Sequence, residues 1–296
     1  MSSPAINKLV LGTVQFGLQY GINNQSGKPG REQVARILDT AWARGIRLLD
    51  TAEAYGDAQE VIGDYHHSSP NRFGVITKFG AGRGDLSSSL EERVEQDLET
   101  LRVGSLYSYM FHSFKDYDTC FARYEPALIR LKESGKIAKL GVSVYTNPEF
   151  EQVLDRQEVD LVQLPFNLLD NQSQRAALIT QAKQKGIEVH TRSAFLQGLF
   201  FKAPAGLPEK LQPLQGCLEE IRSLAERHGM SVADMALNYA LQQPEIDRVL
   251  IGVDSEAQLD QNLASLHHQL PAGLLGQIDR LHVKDTALLN PVNWNA

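Results

Sequence analysis

Short apolar runs alternate with longer stretches of helical periodicity from one end of the chain to the other. Eight runs predict strands: Lys8–Gly12, Ile46–Asp50, Phe73–Lys78, Leu106–His112, Ile137–Ser143, Leu161–Pro165, Ile187–Arg192 and Arg248–Gly252. Between them the 3.6-residue period predicts helices, among them Gln33–Arg44, Leu90–Leu101, Tyr124–Ser134, Gln172–Lys185 and Leu214–His228. Gly45, Gly135 and Gly186 stand where helix C-caps belong, each shortly before the next strand.

Strands that are apolar on both faces and separated by helices imply a parallel sheet covered on both sides. Eight such units predict a closed (β/α)8 barrel of TIM type, an α/β fold with extended βα loops, rather than an open doubly wound sheet. The run Gly80–Gly84 (GAGRG) follows a strand, but Asp85 occupies the place of the third glycine of a dinucleotide fingerprint, so it reads as a loop. The connection between Val189 and Leu214 is long and carries glycine and proline, which marks a functional loop. The tail Lys284–Ala296 lacks helical pattern and is expected either to close a pocket or to dock on the barrel through Trp294 and its apolar neighbours.

Composition changes this picture little. The 296 residues, 42% hydrophobic and 22% charged, suit one barrel domain spanning 1–296. A net charge of −7 argues against a nucleic-acid surface. Cys120 and Cys217 are too few for a disulfide framework or a zinc site, and the pairs His66–His67 and His267–His268 lack a third ligand at suitable spacing. The first residues lack the basic and apolar regions of a signal peptide, and no apolar run is long enough to span a bilayer, so a cytoplasmic enzyme without membrane partners is expected. The oligomeric state is not legible.

In a barrel, chemistry gathers at the C-terminal ends of the strands. Those ends offer Thr13, Asp50, Lys78, His112, Ser143, Gln163, Arg192 and Gly252, with Tyr55 just past the second strand in DTAEAYG. Taken singly, Asp50 reads as a helix N-cap, Tyr55 as a packed aromatic, Lys78 as solvated and His112 as structural. Together they predict a proton-transfer site. A phenol of ordinary pKa near ~10 is a weak acid, a neighbouring ammonium makes it stronger, and Asp50 would keep Lys78 charged in a pocket. His112 could orient a substrate oxygen.

Asp50, Tyr55, Lys78 and His112, in this order and at these strand ends, resemble the catalytic tetrad of the aldo-keto reductases. LGTVQFG, the DTAEAYGDAQEVIG stretch, GVS ending at Ser143, RSAFLQG and IGVDSEAQLDQNL resemble further motifs of that family, so the likeness covers nearly the whole chain. The resemblance implies reduction of an aldehyde or ketone with NADP(H) as cofactor and NAD(H) as the alternative. It implies that Gly12 and Thr13 border the cofactor and that Ser143 and Gln163 hold its carboxamide. Ser193, Phe195, Gln197 and Gly198 would wrap the pyrophosphate, and Gly252, Ser255, Gln258 and Asn262 would surround the adenosine end.

The chain departs from the family pattern in three respects, at four positions. Val144 stands in place of an asparagine, Arg192 in place of an aromatic that stacks on the nicotinamide, and Asp254 and Glu256 stand where basic residues often meet a 2′-phosphate. Arg192 is expected to disfavour the positively charged oxidised cofactor, or else to bind a phosphate or an anionic substrate. Phe16, Phe114, Phe195 and Trp294 are candidate apolar walls, with Gln15, Lys115, Asn167 and Arg192 as polar contacts, in a pocket built partly by Ser113–Cys120. That mixture suits a sugar-like carbonyl as well as an aromatic aldehyde. Two other functions are compatible with the same residues: an aldolase with Lys78 as Schiff-base nucleophile, and a non-catalytic nicotinamide redox sensor that binds a protein.

Overall fold

The computed structural model describes residues 4–24, 27–80 and 89–295. Eight parallel strands close into a barrel in sequence order: β1 (Leu9–Gly12), β2 (Leu48–Asp50), β3 (Gly74–Phe79), β4 (Ser108–Phe111), β5 (Leu140–Ser143), β6 (Leu161–Pro165), β7 (Glu188–Arg192) and β8 (Arg248–Gly252). Closure is made by β1 against β8, in register from Leu9 opposite Val249 to Gly12 opposite Gly252. The predicted strands are all present, several trimmed at their N-terminal ends.

The helices are α1 (Val14–Gly17), α2 (Arg31–Arg44), α3 (Ala58–Ser68), α4 (Leu90–Leu101), α5 (Phe114–Glu133) and α6 (Asn147–Arg156). They continue with α7 (Gln172–Gln184), α8 (Gln215–Arg227), α9 (Val232–Leu241), α10 (Glu256–Ala264) and α11 (Ala272–Ile278). Gly45 ends α2 in the left-handed region, φ 103°, and Gly135 and Gly186 lie at positive φ just past α5 and α7. Helix starts are written in the side chains: Ser89 with Glu92, and Thr146 with Glu149, each form a reciprocal capping box.

One element differs clearly from expectation. Helix α5 begins at Phe114, ten residues before the predicted Tyr124, so Ser113–Cys120 is no loop. Ser113 caps it by accepting the Asp116 N–H at 3.1 Å. Phe114, Tyr117 and Phe121 then form one stripe, with Tyr117 and Phe121 edge-on and tilted against Phe111 of β4. Asp116, Asp118, Thr119 and Cys120 are poor helix formers, and aromatic packing overrides them.

Two cores follow from the two faces of each strand. A large cluster joins the outward residues to the helices, while Val10, Ile76, Met110, Leu161 and Leu250 fill the barrel's interior. Because side chains alternate along a strand, the residue two positions after an inward apolar one also points inward, nearer the mouth. Leu48 is thus followed by Asp50, Ile76 by Lys78, Met110 by His112 and Leu161 by Gln163. The apolar layer seals the barrel beneath a polar layer at its C-terminal end.

No helix among the described residues is long and apolar enough to cross a membrane. The tail winds into two short turns, Thr286–Leu289 and Pro291–Asn295, and docks: Leu288 and Leu289 are buried, and Trp294 donates its indole N–H to the Leu288 carbonyl at 2.8 Å. The rest of the glycine-rich run, Ala81–Gly84, and Asp85 lie outside the described residues.

Candidate active site

A cleft of about 830 Å³ opens at the mouth of the barrel, and Asp50, Tyr55, Lys78 and His112 all line it. The Lys78 side chain is 1% exposed. An ion that deep requires a partner. Asp50, 2% exposed, supplies it through Oδ1, and the Thr51 carbonyl accepts a second bond from Nζ at 3.2 Å. The pairing of Asp50 with Lys78 is as expected, and the helix-capping role that Asp50 taken singly would suggest is not what its carboxylate does. Its other oxygen accepts the side-chain N–H of Gln163 at 2.8 Å.

Lys78 Nζ lies 5.2 Å from the centroid of the Tyr55 ring, and the His112 ring meets the same phenol edge-on at 5.7 Å between centroids. Two of the four residues, Asp50 and Lys78, come from strands, His112 directly follows β4, and Tyr55 lies in the loop after β2. Backbone bonds fix their spacing: the Glu53 N–H donates to the Lys78 carbonyl at 3.0 Å, and the His112 N–H to the Phe79 carbonyl at 2.9 Å. Gly17 lets α1 pass directly behind the loop, since a Cβ there would fall 1.7 Å from the Tyr55 carbonyl oxygen.

The electrostatics differ from the simple expectation. Burial, and then the Asp50 carboxylate, push the Tyr55 phenol well above its usual pKa, and the cation that opposes them is Arg192. Burial lowers the Lys78 ammonium, with Asp50 acting to restore it. The resting phenol is neutral and carries its proton.

Arg192 closes β7 and lines the cleft, but its guanidinium carbon sits 4.0 Å over the Tyr145 ring while Nη2 donates to the Val144 carbonyl at 3.3 Å. Ser143 and Gln163, nearly fully buried, line the cleft beside it. After β7 the chain turns through Ser193, Leu196 and Gln197 at φ 64°, 45° and 53°, and Gly198 at φ 87°. Three non-glycine residues in the left-handed region within five positions are costly, and such strain concentrates at ligand clamps. The opposite wall holds this loop: the Ile22 N–H donates to the Gln197 carbonyl at 3.1 Å, Gln197 Nε2 to the Tyr20 hydroxyl at 2.6 Å, and Asn23 to the Gly198 carbonyl.

Gly12, Thr13, Phe195, Gly252, Gln258 and Asn262 also line the cleft. Ser255 does not; its hydroxyl caps α10 by accepting the Gln258 N–H at 3.3 Å. The two acids expected at the adenosine end separate. Glu256 turns to Arg36 of α2 at 2.9 Å, whereas Asp254 lines the cleft and accepts from Asn24 Nδ2 at 3.3 Å. Of the expected substrate contacts, Gln15, Phe195 and Arg192 line the cleft; Phe16, Phe114, Lys115, Asn167 and Trp294 do not. Phe16 is fully buried, and Asn167 spends its carbonyl oxygen on the backbone of Leu169 and Asp170.

Tyr20, Asn23, Asn24 and Tyr145 line the cleft without having been singled out from sequence. They lie in loops without regular period. Only the tyrosines, large side chains in otherwise polar connections, gave any signal. An elongated anionic ligand with amide groups fits what is present. Gln15 Oε1 is buried without a partner among the described residues, and the left-handed turn at 196–198 is closed by its own amides, with Leu196 N–H donating to the Ser193 carbonyl at 2.8 Å and Gly198 N–H to the Phe195 carbonyl at 2.9 Å.

The profile described as the Aldo/keto reductase family matches residues 8–282. Protein tas of Escherichia coli (strain K12) is 25% identical over 340 aligned positions, covering 95% of this chain and 95% of that protein. The NADH-specific methylglyoxal reductase of the same organism is 25% identical over 262 positions, covering 76% of this chain and 80% of the relative. Among solved structures, the holo form of aldo-keto reductase AKR11C1 from Bacillus halodurans aligns with a TM-score of 0.75 at 21% identity, over 93% of this chain and 91% of that one.

Proposed function

The chain belongs to the aldo/keto reductase family, and from that premise we propose that it reduces an aldehyde or ketone to the alcohol with Tyr55 as proton donor. The observation that carries this reading is the ammonium of Lys78, held by Asp50 and set against the Tyr55 ring at the barrel mouth. As an NAD(P)-dependent oxidoreductase, the protein takes its reducing equivalents from a nicotinamide cofactor, which when bound supplies hydride to the carbonyl carbon. Ser143 and Gln163 would hold the carboxamide, the turn from Ser193 to Gly198 the pyrophosphate, and the walls at Gly252, Gln258 and Asn262 the adenosine end. NADP(H) is the cofactor that the family resemblance implies. NAD(H) is the alternative, supported by the relative named as NADH-specific.

A substrate carbonyl oxygen would sit between the Tyr55 hydroxyl and His112. As negative charge gathers on that oxygen, Tyr55 passes it a proton. An alkoxide is a stronger base than a phenolate, so a phenol held neutral by burial is still a competent donor. The phenolate left behind faces the positive charges of Lys78 and Arg192. Asp50 keeps Lys78 protonated, and His112 orients the oxygen. The aldolase reading loses ground because the Lys78 ammonium is already engaged by Asp50 and the Thr51 carbonyl.

Tyr55→Phe tests the proposal. Turnover of 4-nitrobenzaldehyde, followed by cofactor absorbance, should fall at least a hundredfold while cofactor affinity stays within about twofold. Full activity in the variant would end the proton-donor reading.

A further inference from the structure

A buried polar cluster lies behind the strand ends that carry Lys78 and Tyr55, outside the cleft, and the chemistry above makes no use of it. It gathers Glu53 from the loop after β2, Gln59 of α3, Thr77 of β3, Arg93 and Asp97 of α4, and Tyr109 of β4. Arg93 and Asp97, four residues apart, share one helix face. Arg93 Nη2 donates to Glu53 Oε2 at 2.6 Å and to the Gly80 carbonyl at 3.2 Å, and its guanidinium lies 5.5 Å from the Phe79 ring centroid. Gln59 Nε2 donates to Thr77 Oγ1 at 2.9 Å and to Asp97 Oδ1 at 3.0 Å. Asp97 Oδ2 is buried and has no hydrogen-bond partner among the described residues.

One side chain therefore touches both segments that matter. Glu53 stands two residues before Tyr55, and its N–H bonds the Lys78 carbonyl at 3.0 Å; Gly80 stands two residues after Lys78. We propose that Arg93 is a positioning residue, clamping the loop that carries Tyr55 to the strand end that carries Lys78, and that Asp97 sets the grip by competing with Glu53 for the guanidinium. The proposal rests on the proton-donor reading of Tyr55. It adds that a partly buried ion pair outside the cleft fixes the alignment of donor and ammonium.

The competition has a sign. Two carboxyls face one cation where water is scarce, and burial raises both. Asp97, opposed also by the charge of Glu53, is pushed up to about 7. Tyr109, raised further still by burial, stays neutral, and Tyr124 of α5 is the other titratable group facing Arg93. Below neutrality Asp97 holds a proton and Glu53 alone takes the guanidinium. Above it, the ionised Asp97 draws Arg93 back along α4, loosening the clamp. The unfolded chain releases the Asp97 proton in the ordinary carboxylate range, so the stability contributed by the protonated form is lost as pH rises from about 4 toward 7.

The experiment measures kcat for 4-nitrobenzaldehyde from pH 6 to 9 in the wild type, Asp97→Asn, Arg93→Met and Arg93→Lys. Cofactor affinity is followed by nicotinamide fluorescence, and urea unfolding of each cofactor-free protein is recorded at pH 5 and 8. Asp97→Asn, neutral at every pH, should flatten the alkaline fall in kcat at least threefold and remove part of the pH dependence of stability. Arg93→Met should lower kcat about tenfold at unchanged cofactor affinity, and Arg93→Lys should recover part of the loss. If Arg93→Met does not fold, Arg93→Lys compared with the wild type decides the same question. An Asp97→Asn profile superimposed on the wild type's, or an Arg93 variant within twofold in kcat, overturns the clamp. Tyr55→Phe in the same assay separates the two failures: full activity there sinks the donor reading and the clamp together, whereas its loss beside unaffected Asp97 and Arg93 variants sinks the clamp alone.

Discussion

Gln163 donates its side-chain amide to Asp50 Oδ2 at 2.8 Å from the opposite wall of the barrel, so the carboxylate that holds Lys78 is itself held. Asp50 on β2 and Gln163 on β6 are four strands apart around an eight-stranded closure, and their bond crosses the mouth just above the apolar plug. The result is a rigid chain from Gln163 through Asp50 to Lys78, ending against the Tyr55 ring.

That chain makes charge balance in the site a matter of stability as well as chemistry. Lys78→Met leaves Asp50 buried without its cation and should cost about 3–5 kcal/mol. Adding Asp50→Asn removes the stranded charge, so the double variant should recover much of the lost stability and none of the activity. Urea unfolding of the three variants, with kcat measured alongside, checks both halves. A double variant no more stable than Lys78→Met would show that the pair is not the dominant electrostatic contact there.

Arg192 adds a second cation beside the phenol. Oxidised nicotinamide carries a positive ring and the reduced form does not, so the cleft should bind the reduced cofactor more tightly. With partial solvent screening the difference should be about 1–2 kcal/mol, roughly tenfold in Kd. Arg192→Gln should bring the two dissociation constants together. Fluorescence or calorimetric titration measures them, and tighter binding of the oxidised form to the wild type would contradict this account.

Of the two acids expected at the adenosine end, Asp254 lines the cleft, while Glu256 is occupied by Arg36. A carboxylate accepts from a ribose hydroxyl but repels a phosphate in its place. Asp254→Ser should therefore raise affinity for NADPH relative to NADH by about tenfold, while Glu256→Gln should leave the ratio near the wild-type value. An unchanged ratio in Asp254→Ser would place the 2′ position of the ribose elsewhere.

The sequence by itself determined the barrel and brought Asp50, Tyr55, Lys78 and His112 together at its mouth. Eight apolar runs separated by helical periods can bury their surface in few ways, and strand alternation then forces Asp50, Lys78 and His112 to the same inward face. It also placed Gln163 and Arg192 at the mouth, because each follows a buried inward position of its own strand, Leu161 on β6 and His190 on β7. The start of α5 was readable in the spacing of Phe114, Tyr117 and Phe121, but local propensity spoke against it.

Only the tertiary structure decided what each polar side chain bonds. That Gln163 reaches Asp50, that Arg192 lies on Tyr145, that Glu256 turns away while Asp254 does not, and that Arg93 ties Glu53 to Gly80 are relations between segments 13 to 220 residues apart. Periodicity fixes the face on which a residue lies. It carries no information about which of several partners across the barrel is close enough to bond, and the protonation of Tyr55 and Asp97 depends on that distance and on the water excluded around it.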